Sequence, residues 1–124
     1  MKRPLRIAVA DDELDIRAYF QRILPRLGHC VVAVAENGRE LIEQCRAVHP
    51  DLVITDVKMP DMDGIDAVEA ICREQPTAII LMSAHVNSEP KTWAHADRLM
   101  GFLTKPIKQA DLQPMIDLAA GYVA

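Results

Sequence analysis

The chain has 124 residues, 50% of them hydrophobic and 26% charged, and a formal net charge of −4. That length fits one domain able to bury a core without disulfide or metal staples, and the composition is far from that of disordered chains. No basic stripe is present to neutralise nucleic-acid phosphates or anionic lipid, no run approaches the roughly 20 apolar residues that span a bilayer, and the start lacks the apolar core of a signal peptide; a cytoplasmic protein is expected.

The first apolar run, Leu5-Arg6-Ile7-Ala8-Val9-Ala10, is closed by the acidic pair Asp11-Asp12. A helical stripe follows, Ile16, Phe20, Ile23, Leu24 and Leu27, and Gly28 stops it. The second run, 31–35, leads through the turn signal Asn37-Gly38 into Leu41, Ile42 and Cys45. The third, Leu52-Val53-Ile54-Thr55, delivers Asp56 into the loop Val57-Lys58-Met59-Pro60-Asp61-Met62-Asp63-Gly64, before a stripe of Ile65, Val68, Ile71 and Cys72. The fourth run, 78–82, ends at Ser83 and precedes a poorly patterned helix near 88–99. The fifth, Gly101-Phe102-Leu103-Thr104, is closed by Lys105-Pro106, and Leu112, Met115, Ile116 and Ala119 mark the last helix.

Short, nearly continuous apolar runs are the pattern of parallel strands covered on both faces. Five strand-then-helix units with right-handed crossovers wind into an open α/β sheet, whose ligand site falls at the carboxyl ends of the strands flanking the topological switch. Cys30, Cys45 and Cys72 are widely spaced among apolar neighbours and are expected as buried, reduced thiols. His29, His49, His85 and His95 show no metal-ligand spacing.

Asp11, Asp12 and Asp56 all sit at strand ends. If they converge in a partly desolvated cleft, either a pKa rises or a cation binds. A hard divalent ion, Mg²⁺ above all, resolves that repulsion with oxygen ligands. Such a site also suits a phosphoryl group: Lys105 adds a second positive charge, Ser83 a hydroxyl donor, and the Asp56 carboxylate a nucleophile that would form an aspartyl phosphate. Taken singly, each residue has a plainer role. Asp11 and Asp12 would cap the first helix, Ser83 a later one, and Phe102 would simply be buried in its strand.

Asp11-Asp12-Glu13, the stretch from His49-Pro50-Asp51 through Asp56 and Met59-Pro60 to Met62-Asp63-Gly64, Ser83-Ala84, and Gly101 through Pro106 occur together and in this order. In this the chain resembles the receiver domains of two-component response regulators, in their single-domain, chemotaxis-regulator-like form. The resemblance covers 1–124 as one receiver domain with no output domain. It implies a doubly wound, five-stranded parallel sheet with five helices, flavodoxin-like, in strand order 2-1-3-4-5.

The resemblance further implies that Asp56 is the phosphoacceptor, served by a sensor histidine kinase or histidine phosphotransfer protein. Mg²⁺ would be held by Asp11, Asp12, Asp56 and the Lys58 backbone carbonyl. Lys105 and Ser83 would contact phosphate, with Pro106 after a cis peptide bond, and Ser83 and Phe102 would act as the switch pair. Lys58 and His85, each two residues beyond a site residue, are candidates for tuning phosphate lifetime. An output protein is expected on the 86–122 face, in a monomer or phosphorylation-dependent dimer that acts as a switch and not as an enzyme. Two rivals share the pattern. One is an interaction module of this fold that never carries phosphate; the other is an aspartyl-phosphate hydrolase, disfavoured because Lys58 stands where such enzymes have a second acid.

The chain departs from the family pattern at Arg98, where a glycine is expected after the fourth helix; a left-handed cap would cost an L-residue about 1 kcal/mol or more there, so that helix is expected to end differently or to be less stable. Trp93 lies in that segment, as core or as partner surface. Pro25 and Pro114 are lesser oddities, Pro114 being tolerable if Asp111 caps the last helix.

Overall fold

The computed structural model describes residues 3–84 and 96–123. Strands β1 (Arg6–Ala10), β2 (Cys30–Ala35), β3 (Leu52–Asp56), β4 (Ala78–Ser83) and β5 (Leu99–Thr104) alternate with helices α1 (Leu14–Arg26), α2 (Gly38–Val48), α3 (Gly64–Glu74) and α4 (Gln109–Val123). All strand pairs are parallel, in the order β2-β1-β3-β4-β5. This is the expected doubly wound, flavodoxin-like sheet. Of the five expected helices, four are α-helices among the described residues. The fourth, near 88–99, falls largely outside them together with His85, Trp93 and His95.

Alternation along the strands builds two cores. Ala8, Ala10, Ala33 and Ala35 point to the side covered by α2 and α3, where Leu41, Cys45, Val68 and Ile71 pack. Ile7, Val9, Leu52, Ile54 and Ile80 point to the other, beneath Phe20 and Leu24 of α1 and Leu112 and Ile116 of α4. The central strands β3 and β4 are buried throughout, as their unbroken apolar runs predict, whereas the edge strand β2 is only half covered. Gly28, at φ 91°, follows the end of α1 as the expected helix stop.

Three expectations are corrected, and at Arg98 the segment ends differently, one of the two outcomes expected. Arg98 makes no left-handed cap: among the described residues only His49 and Asp61 are non-glycines at positive φ. Instead Ala96–Arg98 form a 3-10 turn running directly into β5 at Leu99, so the fourth helix does not reach 99. The Arg98 guanidinium donates to the Cys72 carbonyl at 2.6 Å and the Gln75 carbonyl at 3.4 Å, satisfying oxygens that the end of α3 leaves without helical partners. Asp111 does not open the last helix, because the Lys108 carbonyl already accepts from the Asp111 and Leu112 N–H groups. Pro114 therefore lies inside α4, beyond its first turn. Finally, Cys30 is exposed at the start of the edge strand, while Cys45 and Cys72 are buried and free.

Candidate phosphoryl and cation site

The hydrogen-bond ladder extends one step past the strands that carry the site. The Asp11 N–H donates to the Ala35 carbonyl at 3.1 Å, Val57 to Met82 at 2.9 Å, and Lys105 to Ser83 at 2.9 Å. Asp11, Asp56 and Lys105 are thus held by the backbone at the carboxyl edge of the sheet. That edge flanks the β1/β3 switch point, where such sheets place their ligands. Residues far apart in the chain arrive there because parallel strands end on the same side.

The three carboxylates come together: oxygens of Asp11, Asp12 and Asp56 all lie within 4.8 Å of one another. Asp11 is 0% and Asp56 7% exposed, and Asp12 faces solvent. With their oxygens no more than 4.8 Å apart and an effective dielectric near 20, Asp11 and Asp56 repel by about 3 kcal/mol or more when both are ionised. Lys105 reaches into the cluster, its Nζ lying 2.8 Å from Asp11 Oδ2, 3.1 Å from Asp56 Oδ2 and 3.3 Å from Glu13 Oε1. One ammonium cannot neutralise this many carboxylates. Its contact with Asp11 is an ion pair lacking hydrogen-bond alignment, and among the described residues no donor is aligned on the buried Oδ2.

The ionisation equilibria follow the same geometry. Burial pushes the Asp11 carboxyl above the usual carboxylate range, and the Lys105 ammonium and the Glu13 N–H offset this only in part. Burial alone would lower Lys105, but the adjoining Asp11 and Asp56 carboxylates outweigh it and hold the ammonium above its ordinary range. A buried acid that resists ionising, and on whose own Oδ2 no donor is aligned among the described residues, is suited to a cation. The donors are all hard oxygens, which fit Mg²⁺.

Asp11 does not cap α1 with its side chain. Its Oδ1 accepts from the Glu13 N–H at 2.9 Å, and the N-cap Glu13 makes no side-chain cap. Ser83 is buried at the end of β4 and pairs in register with Thr104, next to Lys105. Phe102 lies on β5 opposite Leu81, half-buried against the α2/α3 core. The Lys105–Pro106 bond is cis. Lys58 is exposed, and His85 is outside the described residues.

Some contributors lie outside the expected site residues. A Cβ on Gly64 would overlap the Asp56 carbonyl oxygen, so the Met62-Asp63-Gly64 motif has a steric cause. Thr55 Oγ1 donates to that same carbonyl at 3.0 Å. Asp63 caps α3 by accepting from the Asp66 N–H at 2.8 Å, and acids spaced this way in a loop are the one recoverable hint. Arg17 Nη1 donates to the Asp11 carbonyl at 2.9 Å; nothing in the α1 stripe marks it.

Residues 7–117 match the family model described as the response regulator receiver domain. The transcriptional regulatory protein PdtaR of Mycobacterium tuberculosis is 37% identical over 94% of this chain, which spans 57% of that protein. A protein-glutamate methylesterase/protein-glutamine glutaminase of Archaeoglobus fulgidus is 34% identical over 82% of the chain, which spans 30% of it. Among solved structures, the signal receiver domain of the putative response regulator NarL from Mycobacterium tuberculosis superposes with a TM-score of 0.79 at 32% identity, covering 95% of this chain and 98% of that one. With the model matched over 7–117 and the acidic pair, Asp56 and Lys105 gathered at one sheet edge, the chain belongs to the response regulator receiver domain family.

Proposed function

We propose that this chain is a phosphorylation-controlled signalling switch whose Asp56 accepts a phosphoryl group from a histidine of a sensor kinase or phosphotransfer protein. The observation that carries this reading is the meeting of a buried Asp56 with Lys105 and the Asp11-Asp12 pair at the sheet's carboxyl edge. An Asp56 carboxylate oxygen attacks phosphorus; the O–P bond forms as the N–P bond of the donor breaks, and its electron pair returns to the donor imidazole. Lys105 turns from Asp56 Oδ2 toward a phosphoryl oxygen, and the Ser83 hydroxyl donates to another. Asp11 and Asp12, with Asp56 and the Lys58 carbonyl, hold Mg²⁺, which when bound supplies charge neutralisation for the phosphoryl oxygens.

The state of Asp56 then biases two surface conformations, with Ser83 and Phe102 as the responding residues. The output partner docks on the 86–122 face, whose described part includes exposed Leu118 and Tyr122 on α4. Lys58 and His85 set the phosphate lifetime, and unchanged dephosphorylation in Lys58→Ala and His85→Ala would remove that role. We propose further that 1–124 act as one receiver unit in the cytoplasm and catalyse only their own phosphoryl transfer and hydrolysis. Among the described residues no helix is long and apolar enough to cross a membrane.

Intact-protein mass after incubation with Mg²⁺ and acetyl phosphate or a cognate kinase tests the reading. One added phosphoryl group, lost with chelator and in Asp56→Asn, is expected. Absence of uptake from every donor would leave an interaction module that works without phosphate.

A further inference from the structure

We infer that Arg17, on α1, is a positioning residue for the cation site, holding the Asp11 backbone so that Oδ2 faces the acidic pocket. This rests on the reading of that pocket as an Mg²⁺ site. The Arg17 side chain is only 11% exposed, an unusual burial for a guanidinium unless it is paired. Its Nη1 donates to the Asp11 carbonyl at 2.9 Å, and its Nη2 to Glu36 Oε1 at 3.1 Å.

Asp11 closes β1, so sheet pairing does not by itself fix its far side. Its N–H is taken by the Ala35 carbonyl, its Oδ1 by the Glu13 N–H, and its carbonyl by Arg17. Removing the guanidinium frees the peptide between Asp11 and Asp12 to rotate, and those two residues are the acids that must point together. Glu36, just after β2, holds the other arm of the fork. The Glu36 N–H itself donates to Glu40 Oε1 at 3.1 Å, and Asn37 caps α2, so Arg17 is braced against a fixed loop. Ligands of a metal are commonly oriented by such outer contacts.

Charge and geometry predict opposite signs, which makes the inference testable. Deleting a nearby positive charge, by electrostatics alone, strengthens cation binding. Loss of positioning weakens it, by about tenfold or more. Calorimetric titration with Mg²⁺ at constant ionic strength should show that loss in Arg17→Met, while Glu36→Gln, whose amide oxygen can still accept from Arg17 Nη2 and which leaves the Asp11 contact in place, stays within about twofold of the parent. Amide exchange in chelator should be faster at Glu13 in Arg17→Met, a readout that needs no metal. Mg²⁺ binding in Arg17→Met as tight as in the parent, or tighter, would overturn the assignment, as would an equal loss in Glu36→Gln. Should Arg17→Met not fold, Arg17→Gln, which also deletes the charge and the guanidinium fork, decides by the same measure: weakened binding supports positioning, and binding as tight as in the parent or tighter refutes it. A parent protein that binds no Mg²⁺ would instead sink the cation site itself.

Discussion

Replacing Gly64 with alanine should damage both the fold and phosphoryl uptake at Asp56, for a purely steric reason. The first residue of α3 presses on the end of β3: its N–H donates to the Val57 carbonyl at 2.7 Å. An added Cβ would overlap the Asp56 carbonyl oxygen, with the Asp56 carbonyl carbon at 2.9 Å and Thr55 Oγ1 at 3.1 Å. Helix propensity works the other way, because alanine is favoured over glycine by about 1 kcal/mol in a helix interior. Overpacking costs about 1–3 kcal/mol, and here the obstacle is backbone in a buried central strand, so the upper end applies and a net loss of about 2 kcal/mol is expected. Gly121 is the matched control, since a Cβ there meets nothing within 4 Å; Gly121→Ala should gain up to about 1 kcal/mol. Urea denaturation of both variants measures the difference, and uptake from acetyl phosphate should slow in Gly64→Ala alone. Equal stability of Gly64→Ala and the parent within about 0.5 kcal/mol, with normal uptake, would refute the steric account.

Three further outcomes follow from the geometry. Burial raises the Asp11 carboxyl, so the native state keeps that proton longer than the unfolded chain; as pH rises above the ordinary value of 3.8, ionised Asp11 costs stability. In chelator, Asp11→Asn should match the parent below that pH and become the more stable protein toward neutrality, and denaturation across pH with a constant or inverted gap would contradict this. Arg98→Gly removes the donor to the end of α3 and should cost about 1–2 kcal/mol, whereas a gain in denaturation midpoint would restore the left-handed cap as the better ending. Burial pushes the Cys45 thiol up to about 12 and also raises Cys72, so a thiol reagent near neutral pH should label Cys30 rapidly and the other two only after denaturation.

The sheet was legible because central parallel strands, buried on both faces, must be apolar up to the ends that carry the site, and 52–54 and 78–82 are. The position of the site followed from which residues end those runs. What escaped depends on contacts between distant segments. Arg98 meets Cys72 across the fold, and its residue type suggested only a missing glycine. Leu99 and Met100 join β5 through a register shift opposite Ile79 and Ile80, which no periodicity encodes. Pro114 sits inside α4 because Lys108 supplies the helix's first acceptor, an assignment that side-chain capping preferences miss. The half-coverage of β2 left Cys30 outside although Val31 and Val32 follow it, whereas Cys45 is buried between Gln44 and Arg46.

The main-chain bonds just beyond β1, β3 and β5 separate what holds the site from what reacts in it. Asp11, Val57 and Lys105 each donate their own N–H to a neighbouring strand, and that bond is open to every residue type but proline. Asparagine or alanine at the acids, or methionine at Lys105, should therefore give folded proteins with the same edge and no chemistry. Such silenced forms would report what the fold contributes to partner binding when phosphate cannot.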